Sequence, residues 1–131
     1  MDTKSGQLLV ELQQIAAQKS QRDLKGTWFK GSSIYLDALV EEVAEVKEEL
    51  ALGRQCFLED ELGDLLWDFV CLIEHLELEG KVDKERVFQR SVNKYSERVT
   101  KRCPSETWED VKSRQKLALQ NENTLLKIDL K

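Results

Sequence analysis

Prolines and glycines, the residues that most readily interrupt regular structure, are scarce in this chain. Pro104 is the only proline among 131 residues, and there are six glycines. Between these breaks apolar residues recur at helical spacing, as in the series Leu36, Leu39, Val43 and Val46. We therefore expect an all-α fold of long helices rather than a turn-rich β fold.

The helical pattern divides into five segments, at residues 7–19, 33–52, 57–79, 83–101 and 106–126. Residues that favour helix ends stand between them: Ser32 or Ser33, Asp83 and Ser105 as expected N-caps, and Gly53 and Gly80 as expected stops. Residues 22–31, with two glycines and two aromatic residues, are expected to form a loop. Short connections predict antiparallel neighbours in a four- or five-helix bundle, with one domain spanning residues 1–131.

The composition restricts the kinds of partner to consider. The net charge is -5, and polynucleotide binding depends on cations that neutralise phosphates, so no nucleic-acid polymer is expected as a partner. No apolar run approaches the roughly 20 residues that cross a bilayer, and the N-terminus lacks the apolar core of a signal peptide. The three widely spaced cysteines are Cys56, Cys71 and Cys103. We expect free thiols in a reducing cytoplasm and no contact with a membrane.

Two pairs of carboxylates, each three residues apart, occupy consecutive helical segments. Glu42 and Glu45 belong to the second segment, and Glu61 and Asp64 to the third. This spacing places each pair on one helical face. Two such faces brought together offer four oxygen ligands of the kind that Mg²⁺ and Mn²⁺ prefer. The alternative is a solvated acidic face, which is the commoner situation for such a pair taken alone.

The third segment favours the metal interpretation because apolar residues surround its carboxylates: Leu62, Leu65, Leu66, Trp67, Phe69, Val70, Cys71 and Leu72. We therefore expect this helix to be buried on several sides. At 3.6 residues per turn, Glu61, Asp64 and Asp68 fall on one narrow strip of it. Buried like charges cost several kcal/mol each unless they are paired or bound to a metal. A divalent cation is the simplest means of keeping them ionised.

Two further residues of the third segment bear on this site. Gly63 lies inside the helix, where glycine costs ~1 kcal/mol relative to alanine, so close approach of a ligand or packing of another helix is expected there. The single histidine, His75, has Leu72 three residues before it. Di-iron bundles use Glu-x-x-His, so iron is not indicated, and His75 is expected to be an ordinary polar residue near a helix end.

A basic stretch in the fourth segment offers candidate phosphate ligands. Asn93, Lys94 and Arg98 can reach phosphate oxygens, and arginine grips them in a bidentate manner. The alternative is the solvated face of an amphipathic helix. Trp28, in the 22–31 loop, is a candidate to stack on a base. Its alternative is a place in the hydrophobic core.

The acidic pairs resemble those of a known family, the MazG-type nucleoside triphosphate pyrophosphohydrolases. Glu42-x-x-Glu45, fifteen intervening residues and then Glu61-x-x-Asp64 are similar to that family's two helical motifs. Their apolar setting is similar as well.

The basic stretch extends the resemblance. Asn93-Lys94-Tyr95-x-x-Arg98, followed by Pro104, resembles the third motif of the family. Trp28 lies where relatives often carry an aromatic residue. The resemblance covers residues 25–105 and leaves 106–131 as a C-terminal helical extension.

The resemblance implies an all-α bundle of the MazG type, completed by oligomerisation as a homodimer or homotetramer. It implies Mg²⁺-dependent hydrolysis of an NTP or dNTP to the monophosphate and pyrophosphate, a house-cleaning activity on the nucleotide pool, with Mn²⁺ as a substitute ion. The implied roles are metal ligation by Glu42, Glu45, Glu61 and Asp64, orientation or deprotonation of water by Glu41, and substrate binding by Trp28, Asn93, Lys94 and Arg98. The alternative is a non-catalytic nucleotide-sensing or protein-interaction module on the same fold. The presence of all four carboxylates favours the enzyme.

Overall fold

The computed structural model describes residues 3–129, which form five α-helices joined by short connections. They are α1 (Lys4–Lys25), α2 (Ser33–Leu52), α3 (Gln55–Leu78), α4 (Lys84–Tyr95) and α5 (Trp108–Asp129), with a π-helical turn, Ser96–Thr100, directly after α4. No strand occurs within residues 3–129. The expected all-α fold with five helical segments is confirmed.

Two glycines end helices as expected. Gly53 follows α2 with φ 68°, and Gly80 lies just beyond α3 with φ 74°. Glycine adopts this left-handed conformation without the steric cost that a Cβ imposes. The last carbonyls of a helix therefore find partners there, as shown by the hydrogen bond that Gly53 N donates to Glu49 O at 3.0 Å.

Helix α1 is longer than expected at both ends. It begins behind Thr3, whose hydroxyl accepts a hydrogen bond from Gly6 N at 3.0 Å. It continues to Lys25, so residues 22–25 of the expected loop are helical. Arg22 and Lys25 stand in its last turn. Cations there are stabilised by the negative end of the helix dipole, which explains why the helix persists up to Gly26.

The C-terminal part of the chain also departs from the expected boundaries. The continuous helix expected at 83–101 changes to the π-helical turn after Tyr95. Helix α5 is not capped by Ser105. Instead Thr107 Oγ1 accepts a hydrogen bond from Asp110 N at 3.1 Å, and Asp110 Oδ2 accepts one from Thr107 N at 2.9 Å. This reciprocal capping satisfies two backbone donors at once and places the helix start at Trp108.

The first of two compact units extends to Lys84. In it α1 and α2 both pack against α3. The core between them consists of Ala16, Tyr35, Val70, Cys71 and Leu72. Helix α3 supplies most of this core because its C-terminal half is enclosed by both neighbours.

A buried polar network joins the three helices of the first unit. The Asp23 carboxylate of α1 accepts hydrogen bonds from Lys19 Nζ and from Tyr35 Oη, the latter at 2.5 Å. His75 Nε2 of α3 lies 2.8 Å from Asp23 Oδ2, and the ring of Phe29 stacks on His75 with centroids 4.2 Å apart. Burial alone would raise the pKa of Asp23, but the hydrogen bonds from its three partners hold it below the usual value. The carboxylate is therefore an anion satisfied from three sides.

His75 is a core residue. It lies in the last turn of α3, as expected, but its side chain is 1% exposed, so the expectation of an ordinary polar residue is wrong. Burial of an imidazole requires a partner for its ring nitrogens, and Asp23 provides one from 52 residues away.

The apolar surface of α3 is covered mainly beyond Phe69. Leu62, Leu66 and Phe69 are 46%, 44% and 42% exposed, so the expected burial on several sides does not hold for this helix up to Phe69 in a single chain. An apolar groove between α1 and α3 is lined by Ser5, Leu8, Leu9, Glu11, Leu12, Ile15 and Leu66. Exposed apolar surface of this extent is typical of protein interfaces.

The second compact unit begins at Glu85. Its best-buried polar group is Arg98 in the π-helical turn, which is 7% exposed. Arg98 Nε donates to Gln115 Oε1 at 2.8 Å, and the guanidinium lies 5.5 Å from the ring centroid of Tyr95 and 5.4 Å from that of Trp108. Cation–π contacts and this hydrogen bond fasten α5 to the turn.

Over the described residues, no helix is both long and apolar enough to span a bilayer.

Candidate metal centre

Helices α2 and α3 bring the two acidic pairs together. The two-residue connection at 53–54 reverses the chain, and the helices pack side by side. Glu42 and Glu45 lie on successive turns of α2, and Glu61 and Asp64 on successive turns of α3. Helical periodicity therefore places each pair on one face of its helix.

The carboxylate oxygens form two overlapping groups. In one, oxygens of Glu42, Glu45 and Glu61 all lie within 4.8 Å of one another. In the other, oxygens of Asp60, Glu61 and Asp64 satisfy the same limit. Glu61 belongs to both groups and so joins the two helices. Each of the four carboxylates that the sequence indicates as metal ligands belongs to one of these groups, but Asp64 is not in the group that holds Glu42 and Glu45.

Three oxygens of this region are buried without a hydrogen-bond partner among the described residues. They are Glu42 Oε2, Glu61 Oε2 and Asp68 Oδ2. A buried polar atom that lacks a partner costs ~1–3 kcal/mol, and more when it carries charge. Three such atoms around one cluster indicate that the folded chain needs a further group here.

The surroundings raise the pKa values of these carboxyls. Burial, a hydrogen bond with Glu45 and the charges of Glu45 and Asp64 raise the pKa of Glu42 to about 7. For Glu61 the pKa is raised first by a hydrogen bond with Glu45 and then by burial. Burial and the charge of Asp64 raise the pKa of Asp68. In each case like charges crowd the anion, so a cation in the cluster would relieve repulsion.

Arg54, the basic residue nearest to Glu61 in the sequence, does not relieve this repulsion. Arg54 pairs with Glu49, with Nη2 and Oε1 2.5 Å apart, and its guanidinium lies 4.0 Å from the ring centroid of Phe57. The residues present fit a hard divalent cation because they supply only carboxylate oxygens. A zinc or iron site would use cysteine or histidine, and no such residue stands in either group.

Gly63 sits in open space beside the cluster. A Cβ built on it would meet no atom within 4 Å. Among the described residues, no other helix packs closely enough to explain a glycine at this position. The remaining hypothesis is that a ligand or a second copy of the chain approaches here.

Glu41 and Trp28 are exposed residues of the first unit. Glu41 lies on α2, one turn before Glu45. Trp28 is 48% exposed, and Lys19 Nζ lies 4.4 Å from its ring centroid. Its ring also meets Phe29 edge-on, with centroids 5.8 Å apart. An aromatic face left half in solvent is available for stacking, so Trp28 stays a prediction for base binding.

The three residues of the basic stretch have different surroundings within the second unit. Lys94 is exposed, with its Nζ 6.0 Å from the ring centroid of Tyr95. Asn93 is exposed and accepts a hydrogen bond from Gln89 at 2.8 Å. Arg98 is buried and donates a hydrogen bond to Gln115. The alternative interpretation of the basic stretch, a solvated face of an amphipathic helix, therefore does not apply to Arg98. Phosphate binding by these residues stays a prediction.

Sequence reasoning missed Asp60. It adjoins Glu61 and contributes an oxygen to the second carboxylate group. Adjacent residues on a helix point about 100° apart, so periodicity assigns Asp60 to another face. The signal that was available is the acidic run at 59–61, three consecutive carboxylates before the helix becomes apolar.

Comparison with protein families identifies a related domain. The model of the MazG nucleotide pyrophosphohydrolase domain matches residues 30–103. This range holds α2, α3, α4 and the π-helical turn, whereas α1 and α5 lie outside it. Comparison with curated proteins and with solved structures gave no match.

Proposed function

We propose that this chain, which belongs to the MazG family of nucleotide pyrophosphohydrolase domains, hydrolyses a nucleoside or deoxynucleoside triphosphate to the monophosphate and pyrophosphate. The observation that carries the proposal is the meeting of oxygens from Glu42, Glu45 and Glu61 within 4.8 Å, inside the matched range. Such a cluster repels a triphosphate unless a cation stands between them. Mg²⁺ is the proposed cofactor, and Mn²⁺ the substitute.

Glu42, Glu45, Glu61 and Asp64 would hold the ion. Bound Mg²⁺ supplies charge compensation for the phosphates and polarises a water molecule. Glu41 is the proposed residue that orients or deprotonates the attacking water, because it is exposed and adjoins the ligands on α2. General bases act within hydrogen-bond reach of the proton that they take, directly or through one water.

The basic stretch is the proposed phosphate-binding element. Lys94 and Arg98 would stabilise the charge that develops on the leaving pyrophosphate, with Asn93 as a further donor. A guanidinium already held by Gln115 and by two rings loses little freedom when it binds an anion. Trp28 is the proposed stacking partner of the base.

Product analysis by ³¹P NMR tests the reaction. The protein is incubated with each common NTP and dNTP, with Mg²⁺ and with excess chelator. We expect monophosphate and pyrophosphate together, no diphosphate, and no turnover in chelator. Lys94→Ala should lose ~1.5–3 kcal/mol of charge-assisted hydrogen bonding, which is about ten- to a hundredfold in rate or affinity. Initial release of orthophosphate and diphosphate would refute the reaction.

The alternative function, a nucleotide sensor or interaction module, is an outcome of the same experiment. A sensor would bind a nucleotide in the presence of Mg²⁺ and leave it intact. An interaction module would show only weak metal binding. Turnover of any triphosphate to pyrophosphate excludes both.

A further inference from the structure

Asp68 stands apart from the other carboxylates of α3. It lies one turn beyond Asp64 on the same strip of the helix and is only 8% exposed. Its Oδ2 is one of the three buried oxygens without a hydrogen-bond partner among the described residues. It does not belong to either group of carboxylates whose oxygens converge within 4.8 Å. Asp68 is thus close to the candidate metal centre without being placed to ligate the same ion.

The charges that act on Asp68 belong to residues of the candidate site. Its pKa is raised by burial and by the charges of Asp64, Glu41 and Glu45, all of them residues of the candidate site. None of these neighbours is a cation. Asp68 Oδ2 belongs to a side chain that is more than nine-tenths buried, and it has no hydrogen-bond partner among the described residues. A buried oxygen of this kind requires a donor from outside them.

We propose that Asp68 is a positioning residue of the candidate metal centre, and that its Oδ2 accepts a hydrogen bond from a water molecule held on the bound cation. The inference rests on the metal centre of the proposed function. Mg²⁺ usually retains several of its waters when it binds protein carboxylates, so donors are available beyond the direct ligands. Carboxylates that orient such ligands typically change metal affinity by about 10–100-fold when they are removed.

Glu74 provides a matched control on the same helix. It is also a buried carboxylate, 6% exposed, but it is paired with Lys84 Nζ at 2.7 Å. Removing the charge of Glu74 breaks an existing ion pair. Removing the charge of Asp68 eliminates a buried carboxylate that has no compensating cation. The two substitutions should therefore differ in sign for stability and differ in their effect on metal binding.

The experiment measures Mn²⁺ affinity by titration calorimetry and, separately, the melting temperature of the metal-free protein at pH 8. Asp68→Leu and Asp68→Asn should raise the melting temperature and weaken Mn²⁺ binding by about 10–100-fold. Glu74→Gln should lower the melting temperature and leave Mn²⁺ affinity unchanged. Two Asp68 variants are used so that a folding defect in one does not decide the result.

Each remaining outcome has a defined meaning. Wild-type Mn²⁺ affinity in both Asp68 variants overturns the inference and leaves the metal centre standing. Equal weakening in Glu74→Gln also overturns it, because the effect would then be a general consequence of altering buried charge in α3. If the wild-type protein does not bind Mn²⁺, the metal centre itself fails, and the inference fails with it.

Discussion

Substitution of Glu42 by glutamine should remove a pH-dependent loss of stability from the metal-free protein. In the folded chain the pKa of Glu42 is raised from 4.5 to about 7, first by burial and then by Glu45 and its other acidic neighbours. Between these two values the folded state binds more protons than the unfolded state does. Stability therefore falls as pH rises through this window, and the loss is complete above pH 7.

The size of the effect follows from the displaced pKa. At ~1.36 kcal/mol for each pKa unit, a carboxyl moved from 4.5 to about 7 corresponds to ~3 kcal/mol. Glu42 keeps some contact with solvent, and screening reduces this figure to ~1–2 kcal/mol. A change of 1 kcal/mol moves the melting temperature of a domain of this size by ~3–6 °C.

Thermal unfolding is to be followed by circular dichroism at pH 5.5 and at pH 8, in chelator, for the wild-type protein and for Glu42→Gln. We expect the wild-type melting temperature to fall more between the two pH values than that of the variant. Other titrating groups are common to both proteins, so the difference reports Glu42 together with the effect of its charge on its acidic neighbours. Mg²⁺ at pH 8 should restore the wild-type protein and affect the variant less. The same pH dependence in both proteins would refute the assignment of a raised pKa to Glu42.

Three further predictions concern the ligands, the buried network and the apolar surface. Glu61→Gln and Asp64→Asn should each abolish most turnover while far-ultraviolet circular dichroism stays unchanged; wild-type rates in both would make these residues structural or solvated. Tyr35→Phe should lower the free energy of unfolding by ~1.5–3 kcal/mol, because it removes a hydrogen bond to a buried charge. The control, Tyr95→Phe, alters a tyrosine that is 47% exposed and should stay within ~0.5 kcal/mol of wild type. The protein should sediment as a dimer or tetramer at micromolar concentration, because the groove between α1 and α3 and the first half of α3 leave large side chains exposed; a monomer at that concentration would contradict the expected oligomer.

Local periodicity predicted the helices and placed each acidic pair on one helical face. The bounds of α2 and the facing of Glu42 and Glu45 depend only on residues within a few turns of one another. The two glycines that follow within six residues predict a loop at Arg22–Lys25. These residues are helical instead, and basic side chains in the last turn favour that conformation.

Contacts between distant segments were beyond sequence reasoning. The contact of His75 with Asp23 joins residues 52 apart, and nothing in either neighbourhood marks the other as its partner. The apolar pattern of α3 predicts a surface that is buried against another element. A pattern does not state whether the same chain or another one covers it, and Leu62 and Leu66 are exposed in the single chain.

The network around Asp23 affects how far this chain can be shortened without loss of stability. The range that matches the family begins at residue 30 and so omits the whole of α1. A fragment limited to that range would lack Asp23, the carboxylate that Tyr35 and His75 contact. It would also lack Ala16, which belongs to the same core cluster as Cys71. We therefore expect a fragment limited to residues 30–103 to be less stable than a chain that retains α1.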